Sequence, residues 1–136
     1  MTRKDKAINY HNQGFNCCQS VVLTYSDILG IDQNLILKVS EGFGLGISGE
    51  YSFCGAMSGV VMISGLLKAD GSLIGGTTKH KTYQETKVLI DEFKKRVGSI
   101  NCYDIKGIES NKPIMSCNDA IGIACDIVEE YLIKNV

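Results

Sequence analysis

The chain has 136 residues, of which 44% are hydrophobic and 21% charged, and its formal net charge is −1. This length fits one domain spanning residues 1–136, and the near-balance of charge argues against a nucleic-acid-binding surface or a polybasic membrane surface. No apolar signal-peptide core follows the N-terminus, and glycine and serine interrupt the longest apolar stretch. We therefore predict a soluble cytoplasmic protein with no membrane-spanning segment.

Helical periodicity and helix-capping residues dominate the chain, which has one proline and no convincing strand pattern. Capping residues and glycine stops predict three N-terminal helices, at residues 2–14, at 16–30 and from 32 through 39. A glycine-rich stretch follows at 42–49. Ser52 is predicted to cap the most apolar helix, which ends near Ala69.

The second half of the chain is predicted to contain two longer helices. A turn-rich connector covers 70–78, an amphipathic helix covers 82–97 and a short turn covers 102–107. The last helix opens at 116–118 and runs to Leu132. The predicted fold class is therefore all-α, a compact bundle of about five to six helices.

Four of the six cysteines follow a preferred N-cap residue by one or two positions: Cys17, Cys54, Cys102 and Cys117. The first turn of a helix offers free N–H groups and a partial positive charge, and both stabilise a thiolate. We therefore predict lowered pKa values and raised nucleophilicity for these four thiols. The same helix termini would stabilise a thiolate-bound metal or cluster.

The other two cysteines, Cys18 and Cys125, are interpreted as buried core residues, because free cysteine is among the most buried residue types. The chain has no C-x-x-C motif, so neither a thioredoxin-like site nor a zinc ribbon is indicated. A reducing cytosol also makes permanent disulfides unexpected. The sequence alone does not show whether the four helix-start cysteines converge.

Small residues and histidines are further candidates for the site. Gly55 and Gly59 lie four positions apart on one helix face, which permits close approach either of another helix or of a cofactor beside Cys54. His11 is interpreted as a helix-end dipole contact and His80 as a solvated side chain. Either could serve as an accessory ligand, but neither is assigned to the site. No acid–base carboxylate pair or nucleophile triad is present in the pattern.

Several segments together resemble the C_GCAxxG_C_C family of redox-active proteins. The similarity runs through GFNCCQSV at 14–21, EGFG at 41–44, CGAMSG at 54–59, GSINC at 98–102, and Cys117 in the last helix. The resemblance implies that Cys17, Cys54, Cys102 and Cys117 are the family's four cysteines and that Cys18 and Cys125 occupy positions where relatives often carry alanine. Asn118, where relatives often have proline, and the short spacing from Cys102 to Cys117 are departures.

These observations predict a redox-active protein that uses four cysteines, either for electron transfer through an iron–sulfur cluster or for thiol–disulfide exchange. They leave open whether it is an oxidoreductase or an electron-transfer protein. The alternative is a non-catalytic helical binding module, with the cysteines holding structural zinc or lying inert in the core. The expected partner is a redox partner protein of unknown identity, and the small-residue face of the apolar central helix is compatible with a homodimer.

Overall fold

The computed structural model describes residues 1–134, and the regular structure in this part of the chain is helical. The helices are α1 (Arg3–Asn12), α2 (Cys17–Thr24), α3 (Ser26–Leu29), α4 (Gln33–Ser40), α5 (Gly44–Ile47), α6 (Gly55–Lys68), α7 (Lys79–Val97), α8 (Cys102–Lys106) and α9 (Cys117–Ile127). A 3-10 turn, Glu41–Phe43, precedes α5, and a π-helical turn, Val128–Leu132, continues α9. The all-α prediction is confirmed. The count of five to six helices is wrong, because one-turn helices such as α3, α5 and α8 are too short to produce hydrophobic periodicity.

Most of the predicted helix starts are confirmed by side-chain caps. Capping boxes form at Thr2 and Asn16, and the Ser116 side chain accepts a hydrogen bond from the Asp119 N–H. Ser52 is not the cap of α6: its hydroxyl donates to the carbonyl of Gly46, and Cys54 occupies the N-cap position.

Helix α6 lies at the centre of the bundle and packs against α2, α7 and α9. Gly59 allows α6 to approach α2 closely, because a Cβ atom there would lie only 2.9 Å from the Cβ of Val21. The core around it is apolar, and its largest fully buried side chains include Tyr25, Phe93 and Met57. No helix among residues 1–134 has the length and apolar character needed to cross a bilayer.

The glycine-rich segment forms a tight left-handed turn rather than a regular helix. Leu45, Ile47 and Ser48 have positive φ angles of 52°, 66° and 53°, a conformation that costs a residue with a Cβ about 1–2 kcal/mol. Gly46 lies against the backbone of Tyr51 and Ser52 so closely that a Cβ atom there would collide with it. This turn places Leu45 beside the N-terminus of α6.

Backbone hydrogen bonds tie the segment before α6 to the segment before α8. The N–H of Cys54 donates to the carbonyl of Ile100 at 2.7 Å, and the N–H of Cys102 donates to the carbonyl of Ser52 at 2.6 Å. These bonds flank the isolated β-bridge between Phe53 and Asn101. They fix the N-termini of α6 and α8 side by side, and with them two of the predicted site cysteines.

Candidate functional site

Four helix N-termini meet at one small cavity. Cys17, Cys102 and Cys117 are the first residues of α2, α8 and α9, and Cys54 is the N-cap of α6. All four thiols line a cavity of about 20 Å³, together with Leu45, Gly55, Ile105, Lys106 and Ala120. The cysteines that the capping pattern singled out therefore converge, although they come from four different parts of the chain.

The four cysteines form an outer pair and an inner pair. Cys17 and Cys117 are partly exposed and also line an open surface depression of about 280 Å³. Cys54 and Cys102 lie behind them, each only 7% exposed, and do not line the depression. A reactant arriving from solvent therefore meets the outer pair first.

His11 completes the outer pair. Its Nε2 atom lies 3.9 Å from the Cys17 sulfur, and the imidazole nitrogen and the sulfurs of Cys17 and Cys117 all lie within 4.8 Å of one another. His11 Nδ1 lies 2.8 Å from Asn118 Oδ1, and Asn118 in turn donates through Nδ2 to Asn12 Oδ1 at 3.1 Å. Because an amide oxygen only accepts, the proton of this hydrogen bond lies on His11 Nδ1, and Nε2 is the ring nitrogen that faces Cys17.

The outer pair of thiols carries one negative charge, which lies mainly on Cys117. A hydrogen bond from Cys17, followed by the positive charge of Lys106, lowers the pKa of the Cys117 thiol to about 5. The same hydrogen bond and burial raise the pKa of Cys17. Lys106 Nζ lies 3.6 Å from the Cys117 sulfur, and this contact raises the pKa of Lys106 and keeps it charged. At neutral pH Cys117 is a thiolate that accepts from the Cys17 thiol.

The prediction that all four thiols have lowered pKa values is wrong for three of them. In Cys54 the N–H groups of Met57 and Ala56 do lower the pKa, but burial outweighs them and the net shift is upward. Burial likewise raises the pKa of Cys102. A helix N-terminus stabilises a thiolate, but a dry environment destabilises it, and only at Cys117 do a hydrogen bond from Cys17 and the contact with Lys106 outweigh burial.

Cys18 and Cys125 lie in the hydrophobic core, as predicted, and both are fully buried. The sulfur of Cys18 contacts that of Met62 at 3.9 Å. Burial raises the pKa of each thiol to about 12, so both stay protonated. Neither lines the cavity.

The two glycines proposed as cofactor neighbours have different environments. Gly55 lines the cavity, and a Cβ there would lie 3.2 Å from the Cβ of Cys17 and 3.0 Å from the carbonyl oxygen of Phe43. Gly59 faces Val21 on α2 and does not line the cavity, which favours the helix-packing interpretation for Gly59. Its small size serves the packing of α6 on α2.

Sequence reasoning missed two residues of the site, Lys106 and Leu45, and left His11 as an accessory ligand at most. His11 lies six positions before Cys17 with a short turn between, and Lys106 lies four positions after Cys102. The helical spacing between Cys102 and Lys106 could therefore have indicated that Lys106 lies near the site. Leu45 gave no local signal, because its position depends on the left-handed turn.

The donor set suits soft and borderline metals, since thiolates and imidazole bind zinc and thiolates bind iron–sulfur clusters. The size of the cavity restricts the choice of bound group further. A cavity of about 20 Å³ holds about one water molecule, so a cluster does not fit unless the pocket opens. A single ion held by His11, Cys17 and Cys117 needs no such opening.

A family model described as "Putative redox-active protein (C_GCAxxG_C_C)" matches residues 15–131, which is most of the chain and includes all four cavity cysteines. No curated protein and no solved structure gives a significant match.

Proposed function

Because this chain belongs to the C_GCAxxG_C_C family, which is described as redox-active, we propose that it is a thiol redox protein. In this proposal Cys17 and Cys117 are the two thiols that exchange with a disulfide. The observation that carries this proposal is the convergence of four helix-start thiols, with the two partly exposed ones lying within 4.8 Å of each other at the floor of an open depression. The charge of Lys106 beside Cys117 supports the assignment of Cys117 as the attacking group.

The proposed reaction begins when the Cys117 thiolate attacks one sulfur of a partner disulfide. The partner's S–S bond breaks, a bond forms between Cys117 and the attacked sulfur, and the other partner sulfur leaves as a thiolate. Cys17 then loses its proton to this leaving thiolate and attacks the Cys117 sulfur. The mixed disulfide breaks, the partner's second thiolate leaves, and Cys17 and Cys117 become a disulfide. The partner gains two electrons and this chain loses two.

The inner thiols, Cys54 and Cys102, have a supporting role in this proposal. Burial raises their pKa values, so at neutral pH they are poor nucleophiles. They stay reduced and form the back wall of the cavity while the outer pair reacts. The depression in front of the outer pair suits a redox partner protein that presents an exposed disulfide or dithiol.

The test is to treat the anaerobically reduced protein with glutathione disulfide and to map disulfides by mass spectrometry without reduction. We expect a Cys17–Cys117 bridge. Cys17→Ser is expected to stop at a mixed disulfide on Cys117, and Cys117→Ser is expected to react far more slowly. Cys125→Ser, which changes a core thiol remote from the cavity, is the matched control and is expected to form the bridge normally. A bridge between any other pair, or equal reaction of Cys117→Ser and Cys125→Ser, contradicts the proposal.

A second candidate is electron transfer through an iron–sulfur cluster bound by Cys17, Cys54, Cys102 and Cys117. The observation in its favour is that all four thiols line one cavity, although the cavity must open to admit a cluster. Iron, zinc and acid-labile sulfide are measured, with a visible spectrum, on protein produced without oxygen. Iron and sulfide in matching amounts, with absorption that bleaches on reduction, favour the cluster over disulfide exchange.

A further inference from the structure

We propose that His11, Cys17 and Cys117 form a mononuclear metal site of the zinc class, with one coordination position left open. The three donor atoms lie within 4.8 Å of one another and come from the end of α1 and the starts of α2 and α9. One nitrogen and two sulfur donors around a tetrahedral zinc ion are about 3.5–3.8 Å apart, given Zn–S and Zn–N bonds of about 2.3 and 2.0 Å. Small side-chain rotations therefore complete the geometry.

The imidazole is already held in the orientation that a metal requires. A metal-binding histidine usually donates its second ring N–H to an oxygen, which fixes both the tautomer and the ring plane. Here His11 Nδ1 donates to Asn118 Oδ1 at 2.8 Å, and Asn118 is itself held by Asn12. Nε2, the ring nitrogen that binds a metal when the imidazole is neutral, consequently lies beside the two sulfurs. Asn118 immediately follows Cys117 in α9, so one helix start supplies both a sulfur ligand and the group that orients the histidine.

The surroundings of the sulfurs also suit a bound cation. Both ligand cysteines are first residues of helices, where backbone N–H groups neutralise part of a thiolate's charge. Lys106 donates to the Cys117 sulfur at 3.6 Å and supplies an outer hydrogen bond of the kind that tunes metal thiolates. Two thiolates and a neutral imidazole balance a divalent ion.

The fourth position is open because the three donors line the surface depression of about 280 Å³. An ion reaches the site from solvent, and a water molecule or an incoming thiolate completes its shell. Three protein ligands with an open position are typical of catalytic rather than structural zinc. This ligand set differs from the four-cysteine set expected from the sequence, since it takes in a histidine and leaves out Cys54 and Cys102.

The metal site does not depend on the proposed disulfide exchange, but it uses the same two sulfurs. An ion and a Cys17–Cys117 disulfide therefore exclude each other. Zinc is expected to protect the reduced pair from glutathione disulfide, and the disulfide form is expected to bind no zinc at this site.

The test uses the reduced full chain, titrated with Zn²⁺ against a chromophoric chelator, and then with Co²⁺ as a spectroscopic substitute. We expect one ion per chain and a cobalt spectrum with sulfur-to-metal charge transfer and intense tetrahedral bands. His11→Gln, Cys17→Ser and Cys117→Ser are each expected to weaken binding, while His80→Gln and Cys125→Ser serve as controls with unchanged binding. Cys54→Ser and Cys102→Ser are expected to leave the stoichiometry and cobalt spectrum unchanged.

Asn118→Ala keeps all three ligands and is expected to weaken binding about 10–100-fold, the usual effect of losing an outer-shell partner. If His11→Gln does not fold, Asn118→Ala tests the role of the histidine instead. Folding of each variant is checked by the unfolding transition of the metal-free protein. Unchanged binding in both His11→Gln and Asn118→Ala overturns the site, as does loss of binding in Cys54→Ser or Cys102→Ser. A chain that binds no zinc but still forms the Cys17–Cys117 bridge overturns the metal site alone and leaves the redox proposal standing.

Discussion

Lys106 on α8 places its ammonium nitrogen 3.6 Å from the sulfur of Cys117 on α9, and the contact links two helices that begin at two of the cavity cysteines. The charge of Lys106 also lowers the pKa values of Cys54 and Cys102, but burial outweighs it there. At Cys117 the charge adds to the hydrogen bond from Cys17, and the pKa of this thiol falls. Convergence of thiols alone would not select one of them as the nucleophile.

Replacing Lys106 by methionine keeps most of the side-chain volume and removes the charge. The pKa of Cys117 is expected to rise from about 5, although the hydrogen bond from Cys17 continues to lower it. At a pH below the new pKa, each unit of increase lowers the thiolate fraction about tenfold. The measurement is the pH profile of Cys117 alkylation by iodoacetamide, followed by mass spectrometry of its peptide.

Lys95→Met is the matched control, because Lys95 is an exposed lysine on α7 away from the cavity. Its Cys117 profile is expected to match that of the unmodified protein. An unchanged profile in Lys106→Met would show that the lysine does not contribute to thiolate stability.

The stability of the protein is expected to depend on pH through Cys117. Its pKa is lowered from 9.0 to about 5 in the folded chain, so between these values the unfolded state binds more protons than the folded state. The free energy of unfolding therefore rises with pH across this window, and this contribution is lost as pH falls through about 5. Above pH 9 the raised pKa of Cys17 acts in the opposite direction and lowers stability.

The measurement is urea unfolding of metal-free reduced protein at several pH values, compared with Cys117→Ser. The difference in unfolding free energy between the two proteins isolates the contribution of the cysteine pair, because the remaining groups titrate in both. A slope that is the same in both proteins between pH 5 and 9 contradicts the lowered pKa.

Leu45 is expected to limit access to the inner thiols, because it lines both the cavity and the surface depression. Leu45→Gly removes this side chain and suits the positive φ of 52°, so the backbone turn is retained. Alkylation of Cys54 and Cys102 in the native state is expected to be faster than in the unmodified protein, because the reagent no longer has to pass the leucine side chain. Site-resolved mass spectrometry measures the rate.

Ile47→Gly is the matched control for this variant. Ile47 also has a positive φ, 66°, and is similarly exposed, but it lines neither the cavity nor the depression. If both variants accelerate labelling equally, loosening of the turn rather than removal of a cover is responsible.

Two glycines of α6 are expected to respond in opposite directions to alanine. At Gly59 a Cβ would lie 2.9 Å from that of Val21, so Gly59→Ala forces α2 and α6 apart and is expected to lower the unfolding free energy by about 1–3 kcal/mol. At Gly65 nothing lies within 4 Å, so Gly65→Ala is expected to raise it by about 0.5–1 kcal/mol through helix propensity. Urea unfolding gives both values. Destabilisation by both substitutions would mean that helix contacts other than the Gly59–Val21 approach are involved.

Local chemistry made part of this site predictable. Asn16 and Ser116 cap α2 and α9 through hydrogen bonds to the third residue of each helix, and such caps are readable because they involve neighbours in sequence. The placement of Cys17 and Cys117 at helix starts followed from them. The family resemblance, confirmed by the match over residues 15–131, added that these cysteines belong to one set.

The remaining features depend on contacts between distant parts of the chain. His11 and Asn118 are 107 positions apart, and no local pattern pairs them. The thiol pKa values were mispredicted because helix N-termini are visible in sequence whereas burial is not. The left-handed turn at 45–48 contains three residues that disfavour positive φ, and it is held by hydrogen bonds such as that from the Ser52 hydroxyl to the Gly46 carbonyl.

The closeness of Cys17 and Cys117 also has a consequence for the chain as a polymer. These residues are 100 positions apart, so a covalent bond between them would close a loop that contains most of the protein. In the chain-entropy treatment, closing a loop of this size restricts the unfolded ensemble by about 4.7 kcal/mol at 25 °C. The protein with an oxidised pair would therefore be markedly harder to unfold than the protein with a reduced pair. The redox state of two sulfur atoms would in this way change the resistance of the whole bundle to denaturant and to protease.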